Sequence, residues 1–307
     1  MGQVHALHTV HAPGFAGAAE AFVATHTGAG AWSVATAVKY RQTLAVLAGH
    51  LAGTDVGHDL AVLDTPAGAR QLAEAFATAF GTLAPATRTR HLSTLRSAVS
   101  WWRACGWLHT DPMTGWVAPK VVVDDTRALS RAQVAALFAL EAPLRDKTLW
   151  RMLYETAARA SEVLNLDVAD LDTASRRARV VGKGGATEWV FWQTGTARLV
   201  PRLLAGRDRG PVFLASRLST RAVATGDTCP VTHRARLSYR RAAEIFAAAT
   251  APLAAGDRGG DGGWTLHQLR HSALTHAAED GTNTPMLLAR SRHASVRSLA
   301  RYARPAP

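Results

Sequence analysis

The sequence predicts a mainly α-helical protein of two domains, helical in its N-terminal part and α+β in its C-terminal part, with one small β-sheet. Three observations carry this. Four amphipathic patterns follow one another between Ala18 and Cys105, separated by Gly- and Asp-bearing turns. Further on, two β-rich runs within Arg177–Trp192 flank a single glycine-rich turn, the pattern of a hairpin. The length of 307 residues and the 48% apolar content are enough for one large or two ordinary buried cores.

Taken in order, residues 1–16 read as a loose tail, and His5, His8 and His11 within it as solvated side chains. Helices are expected near Ala18–Thr25, Ser33–Leu51, Ala67–Phe80 and Pro85–Cys105, giving a helical domain over residues 17–116. In the last of these, Thr87, Arg88, Arg90, His91, Thr94 and Arg96 lie beside apolar Leu92, Leu95, Val99 and Trp102. One face therefore reads as basic and the other as buried. Lys39 and Arg41 on the second helix are candidates for the same basic surface. Asp111 to Gly115 closes the domain, and residues 117–128 read as an extended linker, in which Val121 to Val123 also suits a short strand.

The second domain is expected over residues 129–307. Ser130-Arg-Ala-Gln opens a helix with a capping-box pattern. An apolar helix through Leu149, Met152 and Leu153 then breaks before a short helix from Ser161 to Leu166, with Ser161 expected as its N-cap. The hairpin follows, then helices near Thr196–Leu204 and Leu237–Ala249 and a glycine-rich loop from Asp257 to Gly263. The chain closes with the helix that carries His267 and Arg270, and a short helix from Ala294 to Tyr302 with Ser295 as N-cap.

Several residues stand where chemistry is feasible. Arg159 falls at a break between helices, and Glu162 in the first turn that follows, where the helix dipole favours a carboxylate and a guanidinium is near. Lys183 sits in the Gly182-Lys-Gly-Gly turn, from which an ammonium can give a proton to a leaving oxygen. That turn lacks the spacing of a nucleotide-binding loop. His267 and Arg270, three residues apart, share a helix face from which both can donate to one phosphate, with His271 pointing elsewhere. Each residue alone has a plain reading as solvated surface or as packing; their order along the chain gives the combination its weight.

Together these blocks resemble the tyrosine recombinase (phage integrase) family. The family pattern has an arginine in a Thr-Gly-x-Arg-x-Ser-Glu-Leu context, a hairpin lysine, a His-x-x-Arg-His box, a second His or Trp, and a tyrosine nine positions later. These fall on Arg159, Lys183, His267 with Arg270, His293 and Tyr302. The resemblance covers roughly residues 130 to 307 in detail. Ser291-Arg292 stands where the family usually has Leu-Gly, a bulky charge where the backbone normally turns closely.

The resemblance implies a helical, SAM-like core-binding domain followed by a catalytic domain. It further implies that Tyr302 attacks a DNA phosphate, that Arg159 and Arg270 neutralise it, and that Lys183 protonates the departing oxygen. His267 and His293 assist, and Glu162 orients Arg159. DNA contacts in the first domain are expected from Lys39, Arg41, Arg88, Arg90 and Arg96. The implied partner is double-stranded DNA, bound by a homotetramer on two sites, with no cofactor and no metal. Residues 1–16 are too few for the extra arm-binding domain of many phage integrases, which points to a two-domain, Xer-like layout. The five residues after Tyr302 are too few for the C-terminal helix that many relatives dock into a neighbour.

Composition agrees with a DNA-handling protein. The formal charge is +12, and only four of the 35 basic residues are lysine. Residues 1–120 carry 8 basic and 6 acidic side chains, and residues 121–307 carry 27 and 17, so the excess lies with the site residues. Binding through arginine–phosphate contacts predicts steep salt dependence. Cys105 and Cys229 are too few and too far apart for a disulfide framework or a zinc site. The absence of an export signal and of a long apolar segment points to the cytoplasm, away from membranes. Two other readings stand beside this one: a type IB topoisomerase-like enzyme, which uses the same residue set but only relaxes DNA, and a non-catalytic DNA-binding protein with the same fold.

Overall fold

In a computed structural model, the described residues are 12–121, 128–182, 185–218, 224–255, 262–292 and 296–299. The chain divides into two compact units, Met1–Val123 and Asp124–Pro307.

The first unit is helical: α1 (Phe15–Gly28), α2 (Val34–Leu51), α3 (Asp55–His58), α4 (Pro66–Phe80) and α5 (Pro85–Ala104). The four long helices match expectation. The one-turn α3 and a 3₁₀ turn at Leu60–Asp64 do not, because side chain caps create them: Gly57 N–H donates to Thr54 Oγ1 (3.3 Å) and Ala61 N–H to Asp59 Oδ1 (2.9 Å). The core centres on Trp102, fully buried on α5, whose Nε1–H donates to the Ala18 carbonyl (3.0 Å) and whose ring meets Phe15 edge-on at 5.3 Å. Trp102→Ala removes this contact and leaves a large cavity, so it is expected to destabilise the unit by about 3–5 kcal/mol, measurable as an earlier chemical unfolding transition.

The expected basic face of α5 needs one correction. Thr94 is buried, and His91 stacks on Phe80 at 4.1 Å while its Nδ1 lies 2.9 Å from Thr43 Oγ1. At 100° per residue these two positions fall on the side facing α2 and α4, so the exposed basic positions on this helix are Arg90, Arg96 and, in its last turn, Arg103.

The second unit begins with α6 (Arg131–Ala139), α7 (Leu144–Thr156) and α8 (Ala160–Leu164). Ser130 caps α6 with Gln133 as its reciprocal partner, as expected. Next come β1 (Leu171–Asp172), β2 (Arg177–Val181) and β3 (Thr187–Phe191), an antiparallel sheet in the order β1-β2-β3 with Val181 opposite Thr187 and Val180 opposite Glu188. Alternation puts Ala178, Val180 and Val190 into the core. The remaining elements are α9 (Thr194–Leu204), α10 (Tyr239–Ala254), α11 (Leu266–Glu279), α12 (Thr284–Ser291) and α13 (Val296–Leu299). The two-residue β1 and the whole of α12 go beyond the sequence expectation. No helix among the described residues is long and apolar enough to cross a membrane.

Helix α7 is the spine of this unit. Its Leu149, Trp150, Met152 and Leu153 are buried, and Trp150 meets Phe246 of α10 edge-on at 5.5 Å. Buried Glu155 accepts hydrogen bonds from the backbone N–H groups of Gln193 (2.9 Å) and Thr196 (3.1 Å), so one carboxylate satisfies donors at the start of α9. A Cβ on Gly195 would stand 2.4 Å from that carboxylate, which explains a glycine inside the first turn.

On the other side, His276 of α11 lies 2.7 Å (Nδ1) from the Tyr154 hydroxyl of α7. Burial, with a contribution from the Arg131 charge, holds this imidazole below its ordinary pKa. Burial likewise lowers His91, with Arg90 adding to the effect. The folded state therefore favours neutral rings. Their contribution to stability is complete above the unfolded value of 6.5 and is lost as pH falls below it. The melting temperature is expected to drop between about pH 7.5 and pH 5.5. His276→Gln should show a shallower drop.

Candidate active site

The site is built where α7 ends. Ala157 takes a left-handed conformation (φ 52°, ψ 23°), and Thr156 Oγ1 accepts from the Ala158 N–H (3.1 Å), so the chain leaves the helix sharply. Arg159 follows as the N-cap of α8, in place of the expected Ser161. The reason is Glu162, which at the third helical position reaches back to cap Arg159. Its carboxylate accepts from the Arg159 backbone N–H (2.8 Å) and from Arg159 Nη1–H (2.7 Å). The Glu162 side chain is 5% exposed and that of Arg159 36%, so a buried anion holds a guanidinium at the surface.

Helix α11 is fixed before it reaches the site. Gly263 has φ +68°, and a Cβ there would lie 2.0 Å from the Ala247 carbonyl. The next residue, buried Trp264, donates its backbone N–H to Thr250 Oγ1 of α10 (2.8 Å). Gln268 Oε1 then accepts from the Thr265 backbone N–H (2.7 Å) at the helix start. In the first turn His267 is exposed and its ring centroid is 4.8 Å from that of His271, in T-shaped contact. His271 therefore does not point away from His267, because residues four apart are also neighbours on a helix.

Arg270 is 1% exposed. Its Nη1–H donates to the Ala157 carbonyl (2.5 Å) and its Nη2–H to the Ser291 carbonyl. A single side chain thus ties the bend before Arg159 to the end of α12. At that end Arg292 is also left-handed (φ 53°, ψ 42°). Ala157 and Arg292 occupy the two places where the family pattern has glycine, and both keep the backbone shape that glycine favours. The Arg292 side chain, 4% exposed, donates Nη2–H to Glu162 Oε2, and its Nε lies 3.1 Å from Glu188 Oε2 on β3. One buried carboxylate therefore serves two guanidiniums.

Arg159, Glu162 and Arg270, expected from the sequence, are joined in one framework, with His267 one turn from Arg270. Lys183, His293 and Tyr302 lie outside the described residues, as do parts of the expected helix Ala294–Tyr302. Arg292 and Glu188 were not among the expected site residues. The signal for Arg292 was a bulky charge at a glycine position, whereas nothing in the spacing marked Glu188.

Residues 127–307 match the model of the phage integrase family. The chain belongs to the phage integrase family. As a member it is a site-specific tyrosine recombinase, acting on DNA through a phosphotyrosyl link. It is 32% identical over 240 residues to tyrosine recombinase XerC of Mycobacterium tuberculosis, covering 74% of each chain. To the XerC of Rhodospirillum centenum it is 31% identical over 275 residues, covering 84% of this chain and 73% of that one. The fold is similar to that of a lambda integrase tetramer bound to a Holliday junction (TM-score 0.71, 14% identity, 99% of this chain and 82% of that one). It is also similar to the Tn1549 transposon integrase in complex with circular intermediate DNA (TM-score 0.68, 14% identity, 94% and 96%).

In this integrase-family chain, the first unit's candidate DNA contacts differ in their commitments. Arg41 is held by Glu20 through Nε (3.0 Å) and Nη2 (2.9 Å). Arg88 Nη1–H donates to the Gly81 carbonyl (3.1 Å) and Arg96 Nη2–H to the Trp116 carbonyl (2.7 Å). Lys39 and Arg90 are exposed. Among the described residues there is no group of His, Cys, Asp and Glu arranged to hold a metal ion.

Proposed function

We propose that the recombination chemistry runs through Tyr302 as nucleophile on duplex DNA. The phenol oxygen attacks a backbone phosphorus and the bond from phosphorus to the 5′-oxygen breaks. A 3′-phosphotyrosyl ester and a 5′-hydroxyl result. Lys183 gives its proton to the departing 5′-oxygen, and His267 assists removal of the phenol proton, which matters because an unperturbed tyrosine ionises only near 10. Arg159 and Arg270 neutralise the five-coordinate phosphorus, and His293 donates to a non-bridging oxygen. A 5′-hydroxyl from a partner strand then attacks the ester and reseals the backbone. The bond energy stays in the covalent intermediate, so the cycle needs no ATP.

The observation that carries this reading is the framework around Arg159. Glu162 anchors it, and Arg270 latches both the bend that precedes it and the helix end that leads to His293. A guanidinium has five N–H donors, so holding backbone and contacting phosphate are compatible roles.

Residues 17–116 act as the core-binding domain, reached through linker 117–128, with residues 129–307 as the catalytic domain. Lys39, Arg88, Arg90 and Arg96 contact the DNA backbone, and Arg41 contributes once released from Glu20. Four copies assemble on two DNA sites, as the lambda integrase neighbour is a tetramer on a junction. The cytoplasm is the compartment this reading implies. Incubating the protein with fragmented DNA and sequencing what becomes covalently bound is expected to identify a discrete target. Two copies of that target on differently marked molecules should then exchange flanks. Relaxation of supercoils without exchange would instead favour a topoisomerase, and absence of any covalent complex would sink the nucleophilic chemistry.

A further inference from the structure

We propose that Arg292 is a positioning residue for DNA cleavage, bridging Glu162 to Glu188 and so fixing the β2–β3 hairpin against the turn that presents Arg159. This rests on the catalytic reading above.

Stability does not explain an arginine here. The backbone at residue 292 is left-handed at the end of α12, a position that disfavours any side chain beyond glycine. The guanidinium is nearly buried, which costs hydration; its Nε meets Glu188 as an ion pair only, and neither Nε nor Nη1 has a hydrogen-bond partner among the described residues. Backbone strain, burial of a charge and an unpartnered donor coincide at one residue next to the site, the pattern of a functional constraint.

The two carboxylates it meets define the role. Glu162 already holds both the backbone and the guanidinium of Arg159, so Arg292 bears on Arg159 through a shared anion. Glu188 comes from the other side of the site. It stands opposite Val180 in the hairpin, and its Oε2 lies 3.4 Å from where a Cβ on Gly182 would be, at the point where β2 enters the turn. Arg159, Glu162, Arg292 and Glu188 thus form an alternating row of charges that crosses from α8 to β3. Arg292 is the only described link in that row between the two elements. Its loss leaves Arg159 bound to Glu162 but releases the hairpin from this anchor.

The test uses the full chain and a nicked duplex carrying the target recovered by covalent trapping, with single-turnover formation of the covalent complex as readout. Arg292→Gly is expected to fold with a melting temperature at or above that of the parent, and to bind the duplex with unchanged affinity. Its cleavage is expected to be slower by about 10- to 100-fold, the scale of a small misplacement of reacting groups. Glu188→Gln should slow cleavage in the parent but add nothing in the Arg292→Gly background, as coupled partners do. Arg292→Lys should restore part of the rate.

Wild-type cleavage by Arg292→Gly overturns the proposal. So do independent, multiplying losses for Arg292→Gly and Glu188→Gln, which would mean that Arg292 acts on the DNA without Glu188. Should Arg292→Gly fail to fold, Glu188→Gln and Arg292→Lys carry the test, and full cleavage by both overturns it. Tyr302→Phe in the same assay separates the two readings: a covalent complex formed by that variant refutes the nucleophile, not the role of Arg292.

Discussion

Replacing Tyr302 with Phe is expected to remove covalent DNA capture altogether while leaving DNA binding intact. Phenylalanine keeps the aromatic ring and deletes only the oxygen proposed to form the phosphotyrosyl bond, so the expected loss is of chemistry rather than of ring size. The expected result on a nicked target duplex is no protein–DNA band after denaturation, against a strong band for the parent, with both proteins shifting the duplex equally in a native gel. A covalent band from Tyr302→Phe would require another nucleophile. Of the other tyrosines, Tyr154 is bonded to His276 between α7 and α11, Tyr40 packs among aromatic rings in the first unit, and Tyr239 opens α10.

Arg159→Ala is expected to slow cleavage by about 10²–10³, the usual consequence of removing one preorganised donor from a developing anion. Arg159→Lys should recover little, because an ammonium cannot reproduce the planar fork that reaches a carboxylate and a phosphate together. Stability should change much less than rate. In Arg159→Ala the Glu162 carboxylate still accepts from the residue-159 backbone N–H and from Arg292, so no buried anion is left alone. Glu162→Gln is the informative contrast: it keeps the shape but withdraws the negative charge from two guanidiniums at once. It should therefore lower both rate and melting temperature. Equal rates for Arg159→Ala and the parent, measured in single turnover, would remove Arg159 from the chemistry.

Much of the architecture was legible from local pattern. The four long helices of the first unit follow their apolar periodicity, and the α6 start follows its capping box, because both signals are complete within a few residues. The hairpin declared itself through alternation and glycine. Helix α12 escaped although Asn283 and Pro285 mark its start, since eight residues offer barely two turns of periodicity. The N-cap of α8 was misplaced for a different reason. Serine is the better cap by propensity, but the Glu162 carboxylate capped Arg159 instead.

The proposed active-site residue types and their order, Arg159, Lys183, His267, Arg270, His293 and Tyr302, are legible along the chain because each sits in its own short motif. What those residues lean on is not. Glu162 meets Arg292 across 130 positions, and Arg270 meets Ala157 across 113. Such pairings arise from how α7, α11, α12 and the hairpin pack, and no helical or strand period spans them. Arg292, which in the sequence was only a departure from glycine, became a bridge between two carboxylates once packing had buried it beside them.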